Sequence, residues 1–290
     1  MSGPARAPRS ALASLRALWF ALLCVALFAP AVPAADDDTL EIVVAGRAQR
    51  FDRAALAARL PVHTVTIDDP DYDAPVTFDG FALRDVLALA GADGAHGDEL
   101  VFGARDGYAP TVAYAAVQAH DAFVAFREHD NPDGFRPVRQ GKALVSPAPY
   151  FLVWREGAAL GPNFPWPYQL VRMEVIDFAT RYAALYPADL AADTPARRGF
   201  DTFKLHCLRC HAINLQGGDL GPELNVPRNV TEYWTPDHLR GFIHDATAYH
   251  ARSKMPSFRG VLDDARLDEL IAYLTLMAGR KVAVPTAPAP

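Results

Sequence analysis

The residues with the most specific chemistry sit in one run, Cys207-Leu208-Arg209-Cys210-His211. The chain has 3 Cys in all, and the third, Cys24, lies in an apolar N-terminal stretch. Cys-x-x-Cys-His is the attachment pattern of c-type haem. The two thiols add to the two vinyl groups, and the neighbouring imidazole reaches the iron from one face. Covalent attachment also holds a large apolar group in a domain too small to bury it otherwise. A redox dithiol wants a thioredoxin-like strand–helix setting, which is missing here. A zinc site wants two more ligands at suitable spacing, and no further Cys exists. The run therefore points to one covalent haem c on Cys207 and Cys210, with His211 as an axial ligand.

Six-coordinate iron needs a second axial ligand. Met255, in Lys254-Met255-Pro256-Ser257-Phe258, is the candidate, with His238, His244 and His250 as rivals in the same stretch. A thioether binds ferrous haem well and raises its potential relative to two imidazoles. With His211 and Met255 both bound, no position is left for substrate or oxygen, which favours electron transfer over chemistry at iron.

Residues from about 195 to 279 resemble the small class I c-type cytochromes. The resemblance rests on Gly199 and Phe203 before the haem motif, Gly221-Pro222-Glu223-Leu224 after it, Met255-Pro256, and Tyr273-Leu274. It implies an all-α fold whose first and last helices cross at Gly199, with Phe203 packed near Tyr273. It also implies that the Pro222 carbonyl accepts a hydrogen bond from His211 Nδ1, orienting the imidazole. Trp234 matches an aromatic common in the loop before the Met, in core packing or in contact with a haem propionate.

The elements that must position these residues can be read outward from the motif. Thr194-Pro195 is a helix start, with Pro at the first position, and the helix runs to about His206. A last helix, from about Asp264 to Met277, puts Leu267, Leu270, Ile271, Leu274 and Met277 on one face. Residues 181–194 read as a linker, 195–281 as the cytochrome domain, and the Pro/Ala-rich stretch 282–290 as a disordered tail. Residues 36–180 mix short strands with brief helices, an α+β pattern. The strands are 40–44, 62–67, 76–78, 100–104, 111–114, 122–127, 150–154 and 170–178. Helices follow Asp52 and span 83–90, and Asp106-Gly107 suggests a tight turn between two strands.

This N-terminal module is similar to the molybdopterin-binding domain of sulfite-oxidase-type enzymes. The similarity lies in Phe78-Asp79-Gly80-Phe81-Ala82-Leu83-Arg84-Asp85-Val86-Leu87, then Asp106-Gly107-Tyr108, then Ala122 to Phe126. That family holds molybdenum through a Cys thiolate, and residues 36–180 contain no Cys. The stretch where a ligand would fall offers Asp68, Asp69, Asp71 and Asp73, hard carboxylates that do not simply replace a soft thiolate. These acids lack the central Gly and terminal Glu of an EF-hand loop and read as a solvated acidic loop. Gly91, Gly94 and Gly97 do not fit a dinucleotide fingerprint and read as turn residues. Phe164-Pro165-Trp166-Pro167-Tyr168 reads as a lid over the module's core or as a docking surface.

Over its 290 residues the chain is 51% hydrophobic and 21% charged, which excludes a disordered acidic tail and a disulfide scaffold. Its net charge of −6 argues against nucleic-acid binding. Arg6, Arg9 and Arg16, an apolar run from Ala17 to Ala29, and Val32-Pro33-Ala34 follow the order of a secretory signal over residues 1–34. Cleavage there yields a periplasmic protein with no membrane span; an uncleaved segment would act as an anchor. The expected function is an exported monohaem cytochrome that relays single electrons between redox proteins, with the N-terminal module as a docking or accessory part. The alternatives are a sulfite-dehydrogenase-like molybdenum oxidoreductase with a fused cytochrome acceptor, and a ligand-binding module that regulates the haem.

Overall fold

Period-2 alternation of apolar residues builds the N-terminal region into two sheets. The computed structural model describes Gly3 and residues 38–92, 97–161 and 163–284. The signal expected over 1–34, the turn assigned to Gly94 and the tail from 285 lie outside the described residues. The elements run β1 (Leu40–Val44), β2 (Arg47–Phe51), α1 (Arg53–Ala57), β3 (His63–Asp69), β4 (Ala74–Ala82), α2 (Leu83–Leu89), β5 (Glu99–Ala104), β6 (Thr111–Ala113) and α3 (Tyr114–Ala119). They continue with β7 (Ala122–Glu128), the hairpin β8 (Val138–Gln140) and β9 (Ala143–Val145), β10 (Phe151–Trp154) and β11 (Leu170–Ile176).

One sheet has the order β2-β1-β11-β5-β6, with β1 and β11 parallel. The other, β10-β7-β4-β3, is antiparallel throughout. Strand β10 shows how alternation serves two cores at once. Leu152 and Trp154 enter the core shared by both sheets, with Leu40, Ile42, Phe102 and Met173. Phe151 and Val153 face a second core on the other side, with Ile67, Phe78 and Phe123. Asp52 caps α1 by accepting from Ala55 N at 2.6 Å. Gly91 ends α2 at φ +81°, where a side chain would strain the backbone.

Two features depart from the sequence reading. Strand β2 carries little apolar signal, because it is an edge strand with only Phe51 buried. Hairpin β8–β9 is mostly exposed and equally silent. Asp106-Gly107 does sit in a tight turn between β5 and β6: Gly107 N donates to the Ala104 carbonyl at 3.2 Å, and Ala104 N donates to the Tyr108 carbonyl at 2.8 Å. The ladder Glu99↔Ala113, Leu100↔Val112 and Val101↔Thr111 continues toward that turn, with Phe102 N donating to the Pro110 carbonyl at 2.9 Å. A Cβ on Gly107, at φ +88°, would overlap the Asp219 side chain, so contact with a distant segment shapes this loop.

The C-terminal region is helical: α4 (Phe178–Arg181), α5 (Pro195–His206), α6 (Pro236–His244), α7 (Ala246–Tyr249) and α8 (Asp264–Ala278). Thr194 caps α5 with Pro195 at its first position, and Asp263 caps α8. Helices α5 and α8 cross at Gly199, where a Cβ would overlap the Glu269 carbonyl. Phe203 packs on Tyr273 with ring centroids 5.4 Å apart. The segment read as a linker carries Tyr182 and Leu185 into this core, and Tyr273 donates to the Leu185 carbonyl at 2.9 Å. Ile176 at the end of β11 joins the same core, and Lys204 of α5 pairs with Glu99 of β5 at 2.6 Å. Residues 37–290 form one compact unit. Among the described residues, no helix is long and apolar enough to cross a membrane.

Candidate functional site

Helix α5 stops at His206, and the chain tightens into a turn that presents the motif. Cys207 N donates to the Phe203 carbonyl at 2.8 Å, and His211 N donates to the Cys207 carbonyl at 2.9 Å. Cys207, Cys210 and His211 then line a cavity of about 710 Å³, and Met255 lines it as well. The cavity wall is largely apolar, with Leu224, Val230, Leu239, Ile243, Phe258 and Leu270. Both cysteines are free thiols. Burial pushes the Cys207 thiol up to about 12 and the Cys210 thiol to about 11, so both stay protonated.

His211 Nδ1 donates to the Pro222 carbonyl at 2.8 Å. That bond fixes the tautomer and leaves the Nε2 lone pair free for a metal. Burial holds the imidazole below its ordinary value, against the opposing pull of the Pro222 bond and the Glu223 charge, which keeps the ring neutral. Gly221 makes this approach possible, since a Cβ there would come within 2.7 Å of His211 Nδ1.

Next to Pro222, Glu223 gathers four backbone donors: Asn214 N at 3.0 Å, Leu215 N at 2.8 Å, Asn225 N at 2.8 Å and Val226 N at 3.1 Å. Beneath it runs a buried amide ladder, in which Asn225 donates to Asn214 and Asn229 donates to Asn225, each at 2.7 Å. Asn229 also donates to the Leu274 carbonyl of α8 at 2.9 Å. The sequence reading missed this network. Of its members that reading singles out only Glu223, within Gly221-Pro222-Glu223-Leu224, and without this role.

Met255 is half-buried against the helical core, and its N–H donates to Ser253 Oγ at 3.1 Å. None of the three rival histidines lines the cavity. The His238 ring packs on Trp234 at 4.7 Å, His244 ends α6, and His250 packs near Phe242 at 6.1 Å. His206, which the motif reading did not weigh, does line it. Trp234 also lines the cavity and packs on Phe242 at 4.9 Å.

The N-terminal region supplies the rest of the wall: Asp71, Asp106, Tyr108, Gln140, Trp166 and Tyr168. Backbone bonds hold it there, from Ala109 N to the Arg209 carbonyl at 2.7 Å and from Asp219 N to the Gly107 carbonyl at 3.0 Å. The tip of β8–β9 also reaches the segment before Met255, with the Gly141 side of the turn facing the Ser253 carbonyl. Pro165, Trp166 and Tyr168 of the aromatic loop are part of the cavity wall. The acidic stretch is not a solvated loop throughout: Asp69 is 1% exposed, and Asp71 lines the cavity. Among the described residues, no group of three or more His, Cys, Asp or Glu is placed to hold a metal ion.

Residues 194–274 match the family model of cytochrome C oxidase, cbb3-type, subunit III. The match supports a c-type cytochrome domain in this part of the chain. Such a domain implies haem, electron transfer and redox partners. No curated protein matches the chain. The geometry around this domain fits haem c. Two thiols, a neutral imidazole with its outer nitrogen occupied, and a thioether all face one apolar cavity.

Proposed function

We propose that the protein is an exported, periplasmic monohaem c-type cytochrome that relays single electrons between redox proteins. Residues 1–34 are its signal, 36–180 an accessory module, 181–194 the joining segment and 195–281 the cytochrome domain. The observation that carries this reading is that Cys207, Cys210, His211 and Met255 line the same apolar cavity. Cys207 and Cys210 hold the haem by thioethers, and His211 and Met255 ligate its iron. When bound, haem supplies a one-electron iron couple. The chain's own work is to keep His211 neutral and aimed, to hold Met255 at the same cavity, and to exclude water with an apolar wall. The accessory module resembles in sequence a sulfite-oxidase-type molybdopterin domain without its thiolate, and it serves to dock a partner or to organise the haem pocket.

The test is production of the full chain in a host able to attach haem c, followed by denaturing mass analysis and visible spectra. One haem that stays on the chain under denaturing conditions is expected. A colourless product overturns the reading, as would stoichiometric molybdenum in the purified protein for the role given to the module.

A further inference from the structure

The cavity wall contains one acidic side chain that the electron-relay reading leaves unused. Asp71, in the loop between β3 and β4, is exposed to the same cavity that Cys207, Cys210, His211 and Met255 line. Behind it lies Asp69, which is buried. Asp69 Oδ1 accepts from Asp71 N at 2.9 Å and Tyr72 N at 3.1 Å, while its Oδ2 has no partner. A carboxylate oxygen buried without a donor favours the protonated form, and so does a second carboxylate close by. Desolvation by the surrounding cavity wall, and then the charge of Asp69, push the Asp71 carboxyl up to about 7; burial raises Asp69 to about 6.

Resting on the haem reading above, we propose that Asp71 takes up a proton when the site is reduced, so that one electron and one proton enter the molecule together. The electron comes from a reduced redox partner. The proton comes from water and bonds to an Asp71 carboxylate oxygen, and both leave on reoxidation. An electron added inside a low-dielectric cavity makes every carboxylate facing it harder to ionise. A carboxyl whose protonation already changes near neutral pH responds to that charge with a proton. By linkage, protonation of Asp71 favours the reduced site by the same free energy.

The charged and titratable groups around Asp71 come from every element that closes this part of the cavity. Asp68 and Asp69 lie at the end of β3, and Glu128 beyond them is neutralised by Arg136 at 2.6 Å. Asp106 and Tyr108 come from the β5–β6 loop, Arg139 from β8 and Tyr168 from the aromatic loop. Arg209, Lys254 and His206 line the wall contributed by the cytochrome domain. Tyr108 and Tyr168 stay protonated at neutral pH, since burial raises both phenols and Asp71 adds to the effect. His206 also lines the cavity and could compete for a proton, but burial and Arg209 hold it below its ordinary value.

The experiment is a potentiometric titration of the full-length holoprotein between about pH 5 and pH 9, with proton uptake on reduction followed by an indicator dye in weak buffer. The haem midpoint potential is expected to fall as pH rises through the neutral range, with matching proton uptake. In Asp71→Asn the slope and the uptake are lost. In Asp69→Asn the slope remains and its pH window moves down, because the neighbouring charge that raises Asp71 is gone. A flat profile in the unmodified protein overturns the proposal without any variant. So does an unchanged slope in Asp71→Asn, or a slope lost only in His206→Gln. Loss of the haem itself would refute the electron-relay reading instead, which a visible spectrum shows before any titration.

Discussion

At the scale of single residues, the site depends on what stands behind its proposed ligands. Glu223 touches no ligand directly, yet it binds the N–H groups on both sides of Pro222, whose carbonyl orients His211. Glu223→Ala leaves these donors unpaired in a half-buried loop. A loss of about 2 kcal/mol is expected, within the range for stranding buried polar groups, and denaturant unfolding measures it. Glu223→Gln keeps one acceptor oxygen and is expected to lose less. Met255→Ala removes the proposed sixth ligand, so a changed visible spectrum and a lower midpoint potential are expected. An unchanged spectrum and potential would refute the assignment. The motif residues were legible in sequence because their chemistry requires adjacency. Glu223 was not, since nothing local distinguishes a carboxylate collecting backbone donors from one facing water.

At the scale of elements, two glycines mark where segments press together. At Gly199 the backbone of α5 rests on the Glu269 carbonyl of α8. Gly199→Val forces these helices apart and is expected to cost about 1–3 kcal/mol or more, the usual range for overpacking, seen as a lower unfolding midpoint. Gly107 holds the β5–β6 loop against Asp219, at a positive φ. Gly107→Ala is expected to loosen the contact between the N-terminal region and the haem loop, and to shift the haem potential while the haem stays attached. Helices α5 and α8 were legible because caps and a 3.6-residue apolar stripe are local signals. Strand β2 and hairpin β8–β9 were not, because edge elements bury too little to show a pattern.

At the scale of the whole molecule, two acids with raised values give stability an unusual pH dependence. Asp69 and Asp71 have folded-state values raised to about 6 and about 7 from 3.8. The folded state therefore binds more protons than the unfolded state between those limits, so stability falls as pH rises across that window. Asp79 runs the other way. Its burial is outweighed by hydrogen bonds from His129, Thr64 and Arg127, which hold it below the ordinary value, and its contribution is lost only at lower pH. Thermal unfolding is thus expected to show a higher midpoint at about pH 5 than at about pH 8. The difference shrinks in the double variant Asp69→Asn/Asp71→Asn. A midpoint that rises steadily from pH 5 to pH 8 would contradict this.

What the amino-acid order determined alone was the Cys-x-x-Cys-His run and the helices around it, because a thiol pair next to an imidazole, a helix cap and an apolar stripe each work over a few residues. What only the tertiary structure decided was that Asp71, Tyr108 and Trp166 share a cavity wall with Cys210 and Met255. Those residues are far apart in the chain. Their meeting depends on how two sheets and a helical core press against one another, and no local pattern records that.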